Sequence, residues 1–475
     1  MHSLLTLSRR LDVPAAVLRR LAVSRPERYP ALLDSVAEGP LGRRSILAAL
    51  PRAALWLERS GRLQAAGFTP QGRGFLDSLE RWWLAERAAP GAPDPQGPAA
   101  ACGWVVFVGY ETAEEIEPRL ALPATPLPWH AFALRTPCAL VHDRLTDAVY
   151  ALAEPDAAHC LDELAADAAR AAVELEALPR GPCRPESYHV EEEEPRLYLD
   201  RVLAAKEYIR AGDIYQANLS RPWRIRPSIP LDAAARREQV GELYARLCAK
   251  NPAPFAALVQ WQDVSLLSSS PERLVRVCGA EVETRPIAGT RPRSRQPGGD
   301  ATEAAALVAH PKERAEHIML IDLERNDLGR VCEAGTVCVD ELMVTETYAH
   351  VHHIVSNVRG RLRADVTPVG ALRAVFPGGT ITGCPKFRCM QLIAELEGEG
   401  RGAYTGSLGL LSRGGVMDLN ILIRTMTLAD GELTLRAGAG IVADSDPQRE
   451  LEETRAKARG LLAVFERDGA TGTPA

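Results

Sequence analysis

The chain has 475 residues, 46% of them hydrophobic and 25% charged, with a net charge of −6 at pH 7. That is ordinary globular composition at a length that buries one oversized core or two to three smaller ones. Its basic residues stand among acidic ones, which argues against a nucleic-acid groove. No apolar run approaches the roughly 20 residues that span a bilayer.

The N-terminus, MHSLLTLSRRLDV, lacks the apolar core and cleavage site of a signal peptide. The ten cysteines are scattered without a C-x-x-C pair, so zinc and thioredoxin-like motifs are unsupported and a reduced, soluble, cytoplasmic protein is expected. Short apolar runs bounded by turn formers, such as GWVVFVGY (103–110), predict strands. The Pro-, Gly- and Ala-rich stretch 85–100 predicts a long loop. ALPRGPCRPESYHVEEEEP (177–195) combines prolines with consecutive glutamates and predicts a solvated linker. The expected organisation is an N-terminal region 1–177, an acidic linker 178–195, a C-terminal region 196–466 and a disordered tail 467–475.

Within the C-terminal region, RLYLDRVLAAKEYIRAG has helical spacing and ends at Gly212, a suitable cap. HVHHIVSNVRGRL (350–362) alternates like a strand. PKFRCMQLIAELEGEG (385–400) starts on a proline and ends in glycines, as helices do. DPQRELEETRAKARGLLAVFER (446–467) is a strongly patterned helix. Helices and strands without regular β-α-β alternation favour an α+β fold.

Three segments carry candidate chemistry. In PKERAEHIMLIDLERNDLGR (311–330), Glu313 and Glu316 project from one helical face, and Glu450 and Glu453 repeat the spacing in the last helix. Two such pairs meeting in space make an oxygen-only site suited to magnesium; apart, they are solvated faces or ion-pair partners. FPGGTITGCPK (376–386) is a glycine-rich turn entering a helix, where amide groups and helix dipole favour an anion. Cys384 and Pro385 stand where a phosphate-binding P-loop needs Lys and Ser or Thr, so a carboxylate-binding turn or a structural turn remains. RAGAGI (436–441) is equally open. In AHVHHIVS, period two puts His350 and His352 on one face and His353 on the other, which disfavours a three-histidine metal site. His353 suits proton donation if it faces a pocket, and Arg424 and Lys457 are candidate partners for carboxylates.

Taken together, GDIYQANLS, SSSPERL, ETRPIAGTRPR, KERAEHIMLIDLERNDLGRV, YAHVHHIVS, GGTITGCPK, GAYTGSLG, NILIRT and AGAGIVADSDP–ELEETRAKAR occur in the order found in chorismate-utilising enzymes, which the chain resembles over most of 196–465. YPALLDS and GWVVFVGYETAEEIEP extend the resemblance more weakly towards the N-terminus. It implies two large, mostly antiparallel sheets packed face to face with helices outside and the active site between them. It makes Glu316 and Glu453 direct magnesium ligands, with Glu313 and Glu450 holding the metal's waters. It places Gly289, Thr290, Thr380, Tyr404, Arg424, Gly440 and Lys457 around chorismate, His353 as proton donor to the departing carbon-4 hydroxyl, and Glu272 at a further pocket position.

The resemblance also bears on the nucleophile. Relatives that add water carry a lysine where this chain has Gln216, so ammonia is implied, delivered by a separate glutaminase subunit. Thr382, Ser407 and VHHIVS lean towards aminodeoxychorismate synthases over anthranilate synthases, while Ala288 removes the lysine nucleophile of some members of the former branch. A non-catalytic chorismate- or tryptophan-binding subunit is the contrasting class. Leu33, Asp34 and Ser35 resemble a tryptophan-binding motif, with Asp34 in place of the usual Glu.

Overall fold

The computed structural model describes residues 6–37, 42–88, 98–177, 188–228, 232–293, 300, 305–307, 309, 311–347 and 351–466. Among them, two antiparallel sheets of 12 and 11 strands pack face to face, with helices on both outer faces. This is the α+β arrangement expected.

The first sheet places Ala31–Asp34 beside Phe255–Trp261, then Val264–Ser270, Thr425–Ala429, Glu432–Ile441, Gln216–Pro227 and the edge strand Tyr188–Glu192. The second runs from Ile287–Pro292 through Val351–Arg361, Glu281–Thr284, Arg273–Cys278, Met417–Asn420 and Ser407–Ser412 to Gly103–Val108 and beyond. Covering each sheet on both faces explains why its strands read as continuous apolar runs. In Gly103–Val108, Trp104, Val106 and Val108 meet the helical layer, while Val105 and Phe107 meet the other sheet. The inter-sheet core is aromatic at one end: Phe107 and Trp129 lie edge to face at 4.8 Å, and Phe132 approaches Trp261 at 4.7 Å.

Sequence order and spatial order part company at the acidic segment. Ala31–Asp34 pairs with Phe255–Trp261, and Gly103–Val108 with Ser407–Ser412, so the regions on either side of 178–195 share both sheets. Within the expected linker, Tyr188–Glu192 is a strand paired with Gln216–Pro227. Two of the four consecutive glutamates are held by arginines while Glu191 and Glu194 stay exposed: Arg221 and Arg455 donate to Glu192 at 2.6 and 2.7 Å, and Arg201 to Glu193 at 2.9 Å. Residues 178–187, the tail 467–475, His350 and most of the predicted loop 85–100 lie outside the described residues. The expected helices form at Pro195–Arg210, Pro311–Gly329, Lys386–Glu397 and Pro447–Leu462, and the last is capped by the Asp446 side chain. No helix among the described residues is long and apolar enough to cross a membrane.

Close strand packing tests this arrangement. A β-carbon at Gly409 would stand 2.0 Å from the Asp418 carbonyl oxygen, which is backbone and has no room to yield. Gly409→Ala should destabilise by about 1–3 kcal/mol, as overpacking does, read as a lower denaturant midpoint with an unchanged m value.

Candidate active site

Past its aromatic end, the inter-sheet space turns polar. Gln216–Pro227 and Glu432–Ile441 lie antiparallel with Asn218 opposite Gly440 and Ser220 opposite Gly438. The glycines of RAGAGI are there for space. A β-carbon at Gly440 would lie 2.3 Å from Gln216 Nε2, and one at Gly438 would lie 2.8 Å from both Tyr404 Oη and Asn218 Oδ1. Removing those side chains brings Gln216, Asn218 and Tyr404 together over bare backbone. Lys457, on the last helix, donates to the Gly438 carbonyl at 3.0 Å.

The turn in GGTITGCPK reaches the same place. Gly379–Ile381 forms a short 3-10 turn and Gly383–Cys384 pairs with Gln216–Pro227. Asn218 N donates to Thr382 O at 2.8 Å, and Asn218 Nδ2 to Thr380 O at 3.3 Å. Thr380 Oγ1 donates to Glu272 Oε1 at 2.9 Å. Lys386, at the end of the motif, is held by Asp327 at 2.5 Å and by the Val375 carbonyl at 3.0 Å, so its role is structural.

Gly289, at φ +64° in a bulge between Ala288 and Thr290, completes another wall, with His353 paired opposite Thr290. His353 Nδ1 contacts the Gly289 carbonyl at 3.2 Å. His352 turns away to Thr347 Oγ1 at 2.9 Å and Asp300 at 3.3 Å, so the two histidines separate as alternation predicts. The Thr290 side chain lies outside the described residues. Arg424 adopts φ +49°, a left-handed conformation uncommon for a residue with a side chain, and such strain gathers at functional positions.

Electrostatics separates the two candidate proton donors. Burial lifts Glu272 to about 7 against the opposing effects of Thr380, Arg424 and Lys457. Burial, with Arg424 adding to it, pushes His353 down to about 4. Burial thus favours the protonated form of Glu272 and the neutral form of His353. The charges of Arg424 and Lys457 favour the deprotonated form of both groups.

One member of each acidic pair lies beside a residue of this region. Glu313 Oε2 would stand 2.8 Å from a β-carbon at Gly289. Glu453 bonds Lys457 at 2.8 Å, and Glu450 is buried one turn earlier. Glu316 is half-buried on the same helix as Glu313. Among the described residues, no group of three or more His, Cys, Asp or Glu side chains closes around a common point.

The LLDS segment lies elsewhere. Leu33, Asp34 and Ser35 line an inter-sheet cavity of about 590 Å³ together with Arg43, Arg273 and Asp418. Asp34 accepts from Ser45 Oγ at 2.5 Å, and Ser35 donates to the Pro254 carbonyl at 3.3 Å.

Sequence reasoning passed over several residues that shape the cleft. Asn218 sits inside GDIYQANLS but was not singled out. Glu397 and Arg401 look like surface charges in ELEGEGRG, yet both are buried. Glu324 reads as one more helical glutamate. It is buried, its Oε2 lacks a hydrogen-bond partner among the described residues, and burial followed by the charge of Asp327 lifts it to about 8.

The two sheets thus enclose a polar region that holds the buried Glu272 within the field of Arg424 and Lys457. The family model for chorismate binding enzymes matches residues 52–463, and the chain belongs to that family. It is 50% identical over 274 residues to an anthranilate synthase component I-like protein of Synechocystis sp., spanning 57% of this chain and 54%, about half, of that relative. An anthranilate synthase component 1 of the same organism is 37% identical over 493 residues, spanning 96% of this chain and 94% of the relative. The crystal structure of anthranilate synthase component I from Streptococcus pneumoniae TIGR4 superimposes with a TM-score of 0.74 at 30% identity, covering 89% of this chain and 93% of that one.

Glu324 gives a test of this electrostatic picture. Its folded pKa lies above the ordinary carboxylate value, so the folded protein keeps a proton that the unfolded chain gives up. The associated stability is present below about pH 4.5 and is lost as pH rises through about 8. Glu324→Gln should therefore unfold at a higher temperature than the parent at pH 8, with a difference that shrinks towards pH 4.5.

Proposed function

We propose that this chain is an ammonia-dependent aminating enzyme of chorismate, of the anthranilate synthase component I type. The observation that carries the reading is a buried Glu272 lifted to about 7 within the field of Arg424 and Lys457. Two cations match the carboxylates of chorismate, and a carboxyl that is half protonated at pH 7 matches a step in which a hydroxyl leaves as water. Gln216 supports ammonia over water, because a neutral amide has no basicity with which to activate water and ammonia is already a nucleophile.

In this mechanism the ammonia nitrogen bonds to carbon-2, the ring double bonds shift, and the carbon-4 hydroxyl departs with a proton from Glu272. The amine then sheds its extra proton. Loss of the enolpyruvyl group as pyruvate, with removal of the carbon-2 hydrogen, leaves an aromatic 2-amino acid. His353, neutral and held by the Gly289 carbonyl, orients the leaving group in place of donating the proton assigned to it from sequence. Tyr404 and Asn218 wall the ring side of the cleft.

Magnesium belongs to the same proposal. Four carboxylates would supply the all-oxygen donor set that this hard cation takes, and Glu453 already pairs with a cation, Lys457. Glu316 and Glu453 would ligate it, with Glu313 and Glu450 holding its waters; bound there it would neutralise a substrate carboxylate. A separate glutaminase supplies ammonia, and the cavity at Leu33, Asp34 and Ser35 is the place for a tryptophan ligand.

The choice of anthranilate over aminodeoxychorismate reverses the sequence expectation. Relatives along nearly the whole chain carry the anthranilate name. The two hydroxyls that favoured the other product are also engaged internally: Thr382 Oγ1 donates to Gly378 O at 2.9 Å, and Ser407 Oγ to Asn420 O at 2.5 Å. They hold backbone and leave no spare donor for substrate.

The deciding experiment mixes the purified protein with chorismate, magnesium and an ammonium salt and follows fluorescence. Anthranilate fluorescence is expected; 4-aminobenzoate appearing only after a lyase is added would select the aminodeoxychorismate product, and no chorismate consumption would select a binding subunit. Expressed per unit of free ammonia, kcat should fall as pH rises through about 7, the range in which Glu272 loses its proton. Glu272→Gln should lower kcat about 10²–10⁴-fold and flatten that limb. Glu316→Gln and Glu453→Gln should each abolish turnover in folded protein; near-parental activity in either rejects the metal assignment.

A further inference from the structure

One buried cation sits behind the cleft and touches three of the segments that line it. Arg401 has five N–H groups, and five contacts take them up. Nε and Nη2 donate to the two oxygens of Glu397 at 3.0 and 2.6 Å. Nη2 also donates to the Asn218 carbonyl at 2.7 Å, and Nη1 to the Ile381 carbonyl at 3.1 Å and Thr405 Oγ1 at 3.4 Å. The guanidinium lies 4.9 Å from the Tyr110 ring centroid and 5.6 Å from that of Tyr404. Glu397 is equally engaged, accepting from Ser220 N at 2.8 Å, Ser220 Oγ at 3.0 Å and Arg436 Nη2 at 2.9 Å.

We propose that Arg401, clamped by Glu397, is the positioning residue that sets the spacing of the substrate pocket by tying the Asn218 strand, the Thr380 turn and the Tyr404 loop to one rigid plane. This rests on the reading of the cleft as a chorismate-amination site. A bridge made only for stability has no need to reach these carbonyls, and a buried ion pair is replaceable by apolar side chains at little cost to stability. Here the acceptors are the backbone carbonyls of pocket segments. The loop it holds also carries Thr405 at φ +64°, a conformation disfavoured for a β-branched residue, directly after Tyr404. Thr405 keeps it through Arg401 and through its own N–H donating to the Leu422 carbonyl at 2.8 Å. A lysine has three donors and no plane, so it lacks the geometry to hold Glu397 and two carbonyls together.

The test compares Arg401→Lys, and the double variant Glu397→Met/Arg401→Met, with the parent. The double variant leaves neither member of this pair charged, which protects the experiment against failure of the single variant to fold. Each is assayed for chorismate consumption with ammonium and magnesium, for thermal unfolding, and for hydrogen exchange of the Ser220, Thr382 and Thr405 amides. KM for chorismate should rise about tenfold or more while kcat changes less, because the pocket is misshapen and the proton donor is untouched. Those amides should exchange faster at a temperature where both proteins are folded. A folded variant with parental KM and parental protection overturns the proposal, whatever its melting temperature. Should the parent itself leave chorismate unconsumed, the functional reading fails separately. Exchange alone then decides: faster exchange supports the clamp and unchanged exchange overturns it.

Discussion

The space between two sheets covered on their outer faces has to be filled, and the way it is filled changes along its length. At one end Phe107, Trp129, Phe132 and Trp261 interlock, and packing alone closes it. At the other, the inner faces carry Gln216, Asn218, Ser220, Glu272 and Tyr404, which apolar packing does not satisfy. Buried polar groups are costly without partners, so this end either saturates its hydrogen bonds or stays open to a ligand. It does both: Glu397 and Arg401 are saturated, and the space beyond them is the cleft.

That division accounts for the electrostatics of the site. Where the network is complete, burial pushes the Glu397 carboxyl upward but Arg401 and Arg436 outweigh it, and the group stays below its ordinary pKa. At Glu272 the cations are less immediate and burial prevails, leaving an acid poised near neutrality. Two carboxyls on the inner side of one fold thus take opposite protonation behaviour from their partners alone. His353 follows the same rule with the opposite sign, being neutral because burial penalises its charged form.

Glycine has a corresponding part in the geometry. At Gly440 the missing β-carbon admits the Gln216 side chain, whereas at Gly409 it admits a neighbouring strand, and at Gly438 it admits both the Leu219 carbonyl and the Asn218 and Tyr404 side chains. The difference lies in whether the approaching atom is the end of a movable side chain or a backbone carbonyl.

The sequence by itself determined the local elements and the family. Periodicity and caps located the helices at Pro311–Gly329, Lys386–Glu397 and Pro447–Leu462, since both signals are carried by neighbours in the chain. The ordered motifs pointed to chorismate chemistry because residues that meet a common substrate are constrained wherever they lie in the chain. Only the tertiary structure decided that the regions flanking 178–195 are interleaved in two sheets, and that Tyr188–Glu192 is a strand. Pairing partners more than 200 residues apart leave no periodic trace. It also decided that burial raises the Glu272 carboxyl and lowers the His353 imidazole, and that Glu397 and Arg401 lie inside. A charged side chain looks the same in sequence whether water or five buried acceptors surround it; its energy is set by what the fold brings beside it.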